Sequence, residues 1–266
     1  MPVGGLWACF AAGFRRWSSY RLATAAGAFT NTFYGLTKAS ITVAAIGAAG
    51  GTLAGYDART GATYAWLTQA LLGPVHVFQW SERAQRVRTG DIAGDVGRPV
   101  DVQLSWLAAD LGRAAYSVLP RAVPPIVVGA LTFGLTGPAG VWPYALGAAS
   151  VAVAVAVSFF CRFALNLCAF WLIEIRGAIT LYMVTSGVLC GLVVPVHWFP
   201  RWLETVADAT PFPSMLQAPV DILSGRVHGA TAVGTFGVQV GWALATMALG
   251  RLVLVRGTRR LVVQGG

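Results

Sequence analysis

Apolar residues run through this chain in long blocks, and charged residues fall almost only between them. Between Arg21 and Asp57 the only formal charge is Lys38, and Ala39 to Tyr56 carries none. Thr60 to Trp80 is a second uncharged run, and Ala122 to Cys161 is a third, of 40 residues. Gly177 to Pro200 and Val227 to Gly250 complete the series. About 20 largely apolar residues are needed for a helix to cross the hydrocarbon core of a bilayer. The 40-residue run suffices for two crossings, and TGPAGVWP (Thr136 to Pro143) supplies the turn residues that divide them. The pattern predicts an all-α integral membrane fold: one domain over residues 1–266 with six transmembrane helices.

Two segments depart from a plain crossing. Residues 1–38 hold Arg15, Arg16, Arg21 and the polar cluster TNTFYGLTKAS, which fits an N-terminal elbow helix at the membrane surface. The alternative is one long tilted helix beginning near Leu22, with Lys38 facing protein or snorkelling. Residues 197–228 are half apolar, with Trp198, Phe199, Trp202, Leu203 and Val206 at helical spacing and Pro200, Pro211, Pro213 and Pro219 as breaks. That reads as a re-entrant outer segment of two short helices between helices five and six, since Trp favours the interface. Gly47, Gly51 and Gly55 form a small-xxx-small stripe on the first span, a packing face that predicts close contact within the chain.

Composition agrees with the pattern. The chain is 56% hydrophobic and 11% charged, with a mean hydropathy of +0.65; a soluble domain carries roughly 25% charged residues. The net charge of +9 rests on 18 Arg and one Lys that flank apolar spans instead of forming one face, so topology explains them better than nucleic acid does. With the N-terminus inside, thirteen Arg fall on the cytoplasmic side and three (Arg59, Arg201, Arg226) outside, which places both termini in the cytoplasm. The apolar run Val3 to Phe14 precedes its Arg residues, the reverse of a signal peptide.

Candidate chemistry is sparse. There is no GxxxxGK[ST] phosphate loop, GxSxG or HExxH, so the chain is expected to carry no ATPase site and no catalytic residue. Cys9, Cys161, Cys168 and Cys190 show neither a CxxC pair nor metal spacing, and no metal site is expected. His76, His197 and His228 read as isolated interfacial residues. Glu174 and Arg176 bracket a turn between spans four and five, and Arg162 lies about 16 Å before that turn. Arg162 is expected to set helix depth at the interface or to line an inner vestibule. No deep acidic pathway is visible, which argues against a secondary transporter or channel, the alternative reading of this chain.

The remaining charge lies in one window. Eleven of the 29 charged residues fall between Ser81 and Arg121, as five acids and six Arg. Glu82 to Val96 reads as a short helix weakened by Gly90 and Gly94, and Val102 to Leu119 as an amphipathic one with Leu104, Leu107, Leu111 and Ala115 on its stripe. Mixed signs suit a specific protein contact better than anionic lipid, which favours unopposed cations. Residues 81–121 are therefore expected to form a cytoplasmic docking loop.

The order of RTGDIAGDVGRPVD (Arg88 to Asp101), WLAADLGR (Trp106 to Arg113), FWLIEIRG (Phe170 to Gly177), PFPSMLQAPVDILSG (Pro211 to Gly225) and RGTRRLVVQGG (Arg256 to Gly266) resembles the ABC type-2 permease superfamily, in a bacterial subfamily of transporter permease subunits. The resemblance covers essentially the whole chain. It implies a half-transporter in the bacterial plasma membrane, an exporter whose ATP and Mg sit on two separate ATPase subunits, paired with a second permease subunit that is commonly a different chain. It places ATPase coupling on Arg83, Arg86, Arg88, Asp91, Ile92, Asp95 and Arg98, with Glu174, Arg176 and the elbow Arg residues completing the cytoplasmic surface. Val96-Gly97 departs from the bulkier apolar pair expected before Arg98-Pro99.

Overall fold

The computed structural model describes residues 3–78, 82–172 and 174–260. The end of the second apolar run (79–80), Ser81, Ile173 of FWLIEIRG and residues 261–266 of the terminal motif lie outside the described residues.

Helix α1 (Val3–Ser18) is followed after a single turn by α2 (Arg21–Ala48), a continuous helix of 28 residues. The expected boundary at Lys38 is therefore absent, and Lys38 lies inside α2. Its polar neighbours are satisfied within the bundle. Thr30, Thr32 and Thr37 donate to carbonyls four residues back. Asn31 donates to the Gln69 carbonyl at 3.4 Å, and Lys38 to Thr68 Oγ1 at 2.7 Å and to the Leu192 carbonyl. With those bonds made, the cluster does not need water. The glycine stripe is corrected as well: α2 stops at Ala48, and Gly51 and Gly55 have φ of +96° and +76°, so only Gly47 is helical. A Cβ at Gly47 would meet nothing within 4 Å, so no close packing occurs there.

Helix α3 (Ala58–Val75) starts from a capping box in which Asp57 accepts from the Thr60 amide at 2.8 Å and Thr60 Oγ1 accepts from the Asp57 amide at 2.9 Å. Next come the short helices α4 (Glu82–Arg88) and α5 (Ile92–Val96), split where Gly90 takes φ +79°. Helix α6 (Val102–Ser117), a π turn (Val118–Ala122) and α7 (Val123–Phe133) then form one 32-residue rod. Pro120, Pro124 and Pro125 cannot donate to an i−4 carbonyl, and the π turn absorbs that loss instead of ending the helix. The window expected to be a loop up to Arg121 thus ends at Asp101, and its second half is the start of a long helix.

Past the Gly/Pro turn, α8 (Trp142–Leu167) extends through a 3₁₀ turn to Phe170. Then follow α9 (Arg176–Leu189), the short helices α10 (Arg201–Asp208) and α11 (Gln217–Leu223), and α12 (Gly229–Thr258). The described residues form an all-helical protein. Three of its helices are long and apolar enough to cross a membrane: Val102–Phe133, Trp142–Phe170 and Gly229–Thr258. Half of the apolar window of α8 is buried, against 28% and 22% for the other two, so α8 is the central rod and its neighbours show apolar faces outward. Val238, Leu244 and Leu249 on α12 are exposed, as expected where lipid is the solvent.

The expected apolar stripe of α6 is also inverted. Ala115 is exposed and Leu104, Leu107 and Leu111 are half-buried, whereas Asp110, Arg113 and Ser117 are buried. A helix bathed in lipid on one side turns its charges toward protein. Helix α1 packs along α6 through glycines: a Cβ at Gly112 would lie 2.0 Å from the Phe10 carbonyl oxygen, and one at Gly13 would lie 2.0 Å from that of Ala109. These positions, not 47, 51 and 55, are where small residues permit backbone approach. Gly112→Val should detach α1 and cost about 1–3 kcal/mol, as overpacking does. Thermal unfolding and limited proteolysis of the purified chain measure this; an unchanged melt with α1 still protected would contradict the crossing.

Candidate functional site

At the end of the bundle bearing α4 and α5, one carboxylate joins three helices. Asp110 and Arg113 are three residues apart on α6 and therefore share a face. Asp110 Oδ1 accepts from Arg113 Nε at 2.9 Å, and Oδ2 accepts from Arg162 Nη2 of α8 at 2.9 Å. All three side chains are about 95% buried. Arg113 also donates to the carbonyls of Gly73 and Pro74, both at 2.9 Å. These belong to the last turn of α3, whose carbonyls have no helical partner and whose dipole favours a cation. Arg162 is thus no depth-setting surface charge; it lines an interior vestibule, the second of the two roles expected for it.

The polar chain continues to α4. Asn166, one turn after Arg162, donates to the Arg162 carbonyl at 2.6 Å and accepts from the Ala84 amide at 2.9 Å. The next residue back, Arg83, lays its guanidinium over the rings of Trp106 (5.4 Å) and Phe159 (4.9 Å), a cation–π arrangement. Burial lowers the Arg83 pKa to about 10, so it stays charged at neutral pH. Ile92 is fully buried with Val87 against Phe159, Phe163 and Leu254, which fastens α5 to α6, α8 and α12. A cavity of about 400 Å³ opens beside these groups, with Trp17 and Tyr20 at its α1 side.

The expected coupling residues divide into three groups. Arg86, Asp95 and Arg98 meet: Asp95 lies 2.8 Å from Arg86 and 3.8 Å from Arg98. Arg83 and Ile92 face inward, as above. Arg88 and Asp91 stay exposed, Asp91 accepting from Thr89 Oγ1 at 2.7 Å. Glu174 and Arg176 sit at the neighbouring turn, where the Arg176 backbone amide bonds Glu174 and holds its carboxyl below the usual range. Among the elbow residues, Arg16 pairs with Glu82 at 3.0 Å and ties α1 to α4, whereas Arg15 and Arg21 are exposed. Sequence reasoning passed over Asp110, Arg113 and Asn166. The available signal was an Asp-x-x-Arg in an apolar helix and an Asn four residues after Arg162. Among the described residues no His, Cys, Asp or Glu cluster suits a metal, and all four cysteines are free.

The opposite end carries a second network. His197, expected to be isolated, lies 3.0 Å from Asp221 through Nε2. Asp221 accepts from Gln217 at 2.9 Å, and Gln217 Oε1 accepts from Tyr64 OH and the Val196 amide, both at 2.9 Å. Arg226 stacks 4.0 Å from the Tyr56 ring centroid. The segment 195–228 is thereby bolted to α3 and to the loop before it.

Two outcomes follow. Asp110→Ala leaves Arg113 and Arg162 buried beside each other without a counter-charge and should cost about 3–5 kcal/mol. Loss of the monodisperse peak on size exclusion, or a large drop in melting temperature, is expected; a stable protein with an unchanged melt would refute the role of Asp110. Second, the hydrogen bond with Asp221, followed by its charge, raises the His197 pKa above its ordinary value of about 6.5. The pair's contribution is then fully present below that value and lost as pH rises through the folded-state pKa. Protection factors over residues 196–223, which remove the base-catalysed rise of the intrinsic exchange rate, should fall on going to mildly alkaline pH, and His197→Gln should abolish that fall. A pH response unaltered in the variant would disprove it.

Over residues 36–265 the chain matches the family described as "ABC-2 family transporter protein". No curated protein and no solved structure matches it. The long apolar helices, the charged end with its paired short helices and the family match agree, and the chain belongs to the ABC-2 transporter family as a multi-pass membrane permease of an ABC transporter, a class that works with ABC ATPase partners.

Proposed function

We propose that this chain is one half of the membrane channel of an ATP-driven exporter in a bacterial plasma membrane. It crosses six times, through α2, α3, the α6–α7 rod, α8, α9 and α12, with the arginine-rich end and both termini in the cytoplasm. It carries no ATPase site; ATP and Mg are bound by two ATPase subunits, and a second permease chain, in this subfamily commonly a different one, completes the pore. The thirteen-to-three distribution of Arg supports this orientation.

The observation that carries the reading is the mounting of α4 and α5. Their outward face offers Arg88 and Asp91, while their inner face is fixed to α8 by Ala84–Asn166, to α6 and α8 by Arg83 on Trp106 and Phe159, and to the apolar cluster by Ile92. A displacement of α4 by a closing ATPase dimer would reach α8 and α6 as a rigid-body shift, with no soft segment between. α1 joins the same unit through Arg16–Glu82 and its crossing with α6. Export is favoured by the vestibule that opens at this same end, where a cargo would load from inside.

Purification from native membranes should bring down an ATP-binding subunit. Arg88→Ala and Asp91→Ala should leave ATP hydrolysis running in that complex while transport falls, since neither side chain supports the fold. Transport by the purified chain alone along a proton gradient, unaffected by ATP, would instead establish the secondary-transporter reading.

A further inference from the structure

The vestibule beside α4 has a charge balance that the described residues do not close. Arg83, Arg113 and Arg162 line it with a single interior carboxylate, Asp110. Asp110 is shared by Arg113 and Arg162, whereas Arg83 has aromatic rings and no carboxylate within ion-pair distance among the described residues. The second acid of the wall, Glu82, is paired with Arg16 at the mouth, where both are about 60% exposed. The interior therefore carries three guanidinium groups against one carboxylate, a surplus of two positive charges in a space of about 400 Å³. Guanidinium forks match phosphate oxygens better than any other side chain does.

Depth says what kind of anion fits. From Trp142 to Arg162 is 20 residues, and from Phe133 back to Asp110 is 23, or about 30 and 35 Å of helix. The hydrocarbon core is about 30 Å thick, so the Arg groups lie at the level of one leaflet's headgroups. The wall is completed by Ala23 and by Trp17 and Tyr20 around the α1–α2 turn, the last two amphipathic aromatics of the kind that settle at that level. A guanidinium floor, with Trp17, Tyr20 and Ala23 forming an apolar wall beside the Arg16–Glu82 pair of the mouth, describes a site for an amphiphile.

We propose that this vestibule binds the phosphate headgroup of an anionic, acyl-chain amphiphile from the leaflet facing α4. The mixed charge of residues 81–121 argued against anionic lipid along the sequence. In three dimensions the acids Asp91, Asp95 and Asp101 point to other partners and the Arg groups of α4, α6 and α8 converge. The proposal rests on the bundle lying in a membrane and not on its being driven by ATP, so its test is separate from that of coupling.

The full chain, with any partner it retains, is placed in nanodiscs of phosphatidylcholine with graded phosphatidylglycerol. Lipid retained after transfer to mild detergent is counted by native mass spectrometry. Wild type should keep phosphatidylglycerol in preference to phosphatidylcholine. Arg83→Gln should weaken retention by about tenfold, the loss of one charge-assisted hydrogen bond. Glu82→Gln, at an exposed position that unfolding does not threaten, should strengthen it, an increase that a merely structural role would not produce. Arg98→Gln, a basic residue outside the vestibule, should change nothing. Equal retention of the two lipids, or retention unmoved in both Arg83→Gln and Glu82→Gln, would overturn the proposal. Displacement of the lipid by millimolar inorganic phosphate would overturn the amphiphile as the ligand in favour of the free anion.

Discussion

Asp110 holds two buried guanidinium groups that would otherwise repel each other across the junction of α3, α6 and α8. A buried ion group of this kind adds little to stability over a well-packed apolar substitute, yet is costly to break from one side. Its value here is positional. Arg113 reaches the last carbonyls of α3, and Arg162 reaches the carboxylate from α8. The register of three helices is thereby tied to one side chain. α4 inherits that register through Asn166.

The same economy explains how a chain with so few charges places an exposed charged surface at one end. Polar groups inside the bundle are spent on joining helices, and the charges left exposed on α4 and α5 are few and clustered. At the far end, the His197–Asp221–Gln217 network performs a matching role, fastening α11 and the 3₁₀ turn before α10 against Tyr64 of α3. Each end of α3 is thus held by a polar assembly, and the length between is packed by apolar and small residues.

Much of the fold was legible in the order of apolar runs. The Gly/Pro turn before Trp142, the two short helices between residues 197 and 228 and the break at Gly90 all follow from local chemistry. The start of the rod at Val102 was not, because Asp110, Arg113 and Arg121 make the apolar run read as beginning at Ala122, whereas the helix turns Asp110 and Arg113 inward and passes its prolines by a π turn. The glycine stripe misled because spacing at four says nothing about whether the helix persists, and positive φ at Gly50 and Gly51 ends it. At the site, charge clustering drew attention to the correct segment, but the leucine stripe of Val102 to Leu119 read as the packing face. In a bilayer buried charges pair with each other, so Asp110 and Arg113 take that face instead.

The π turn at Val118–Ala122 gives the long rod two seams instead of one. Below it α6 packs on α1 and α8, above it α7 packs on α2, and α3 runs beside both. A π turn amounts to one residue more than an α-helix needs, and each residue turns the helix by about 100°. The chain therefore reads this rod in two phases that are reconciled only at this place. Deleting one residue from the α-helical part on either side of this turn would leave nearly every side chain in place and still swing part of the rod by about 100° against its neighbours, which makes length here as constrained as identity.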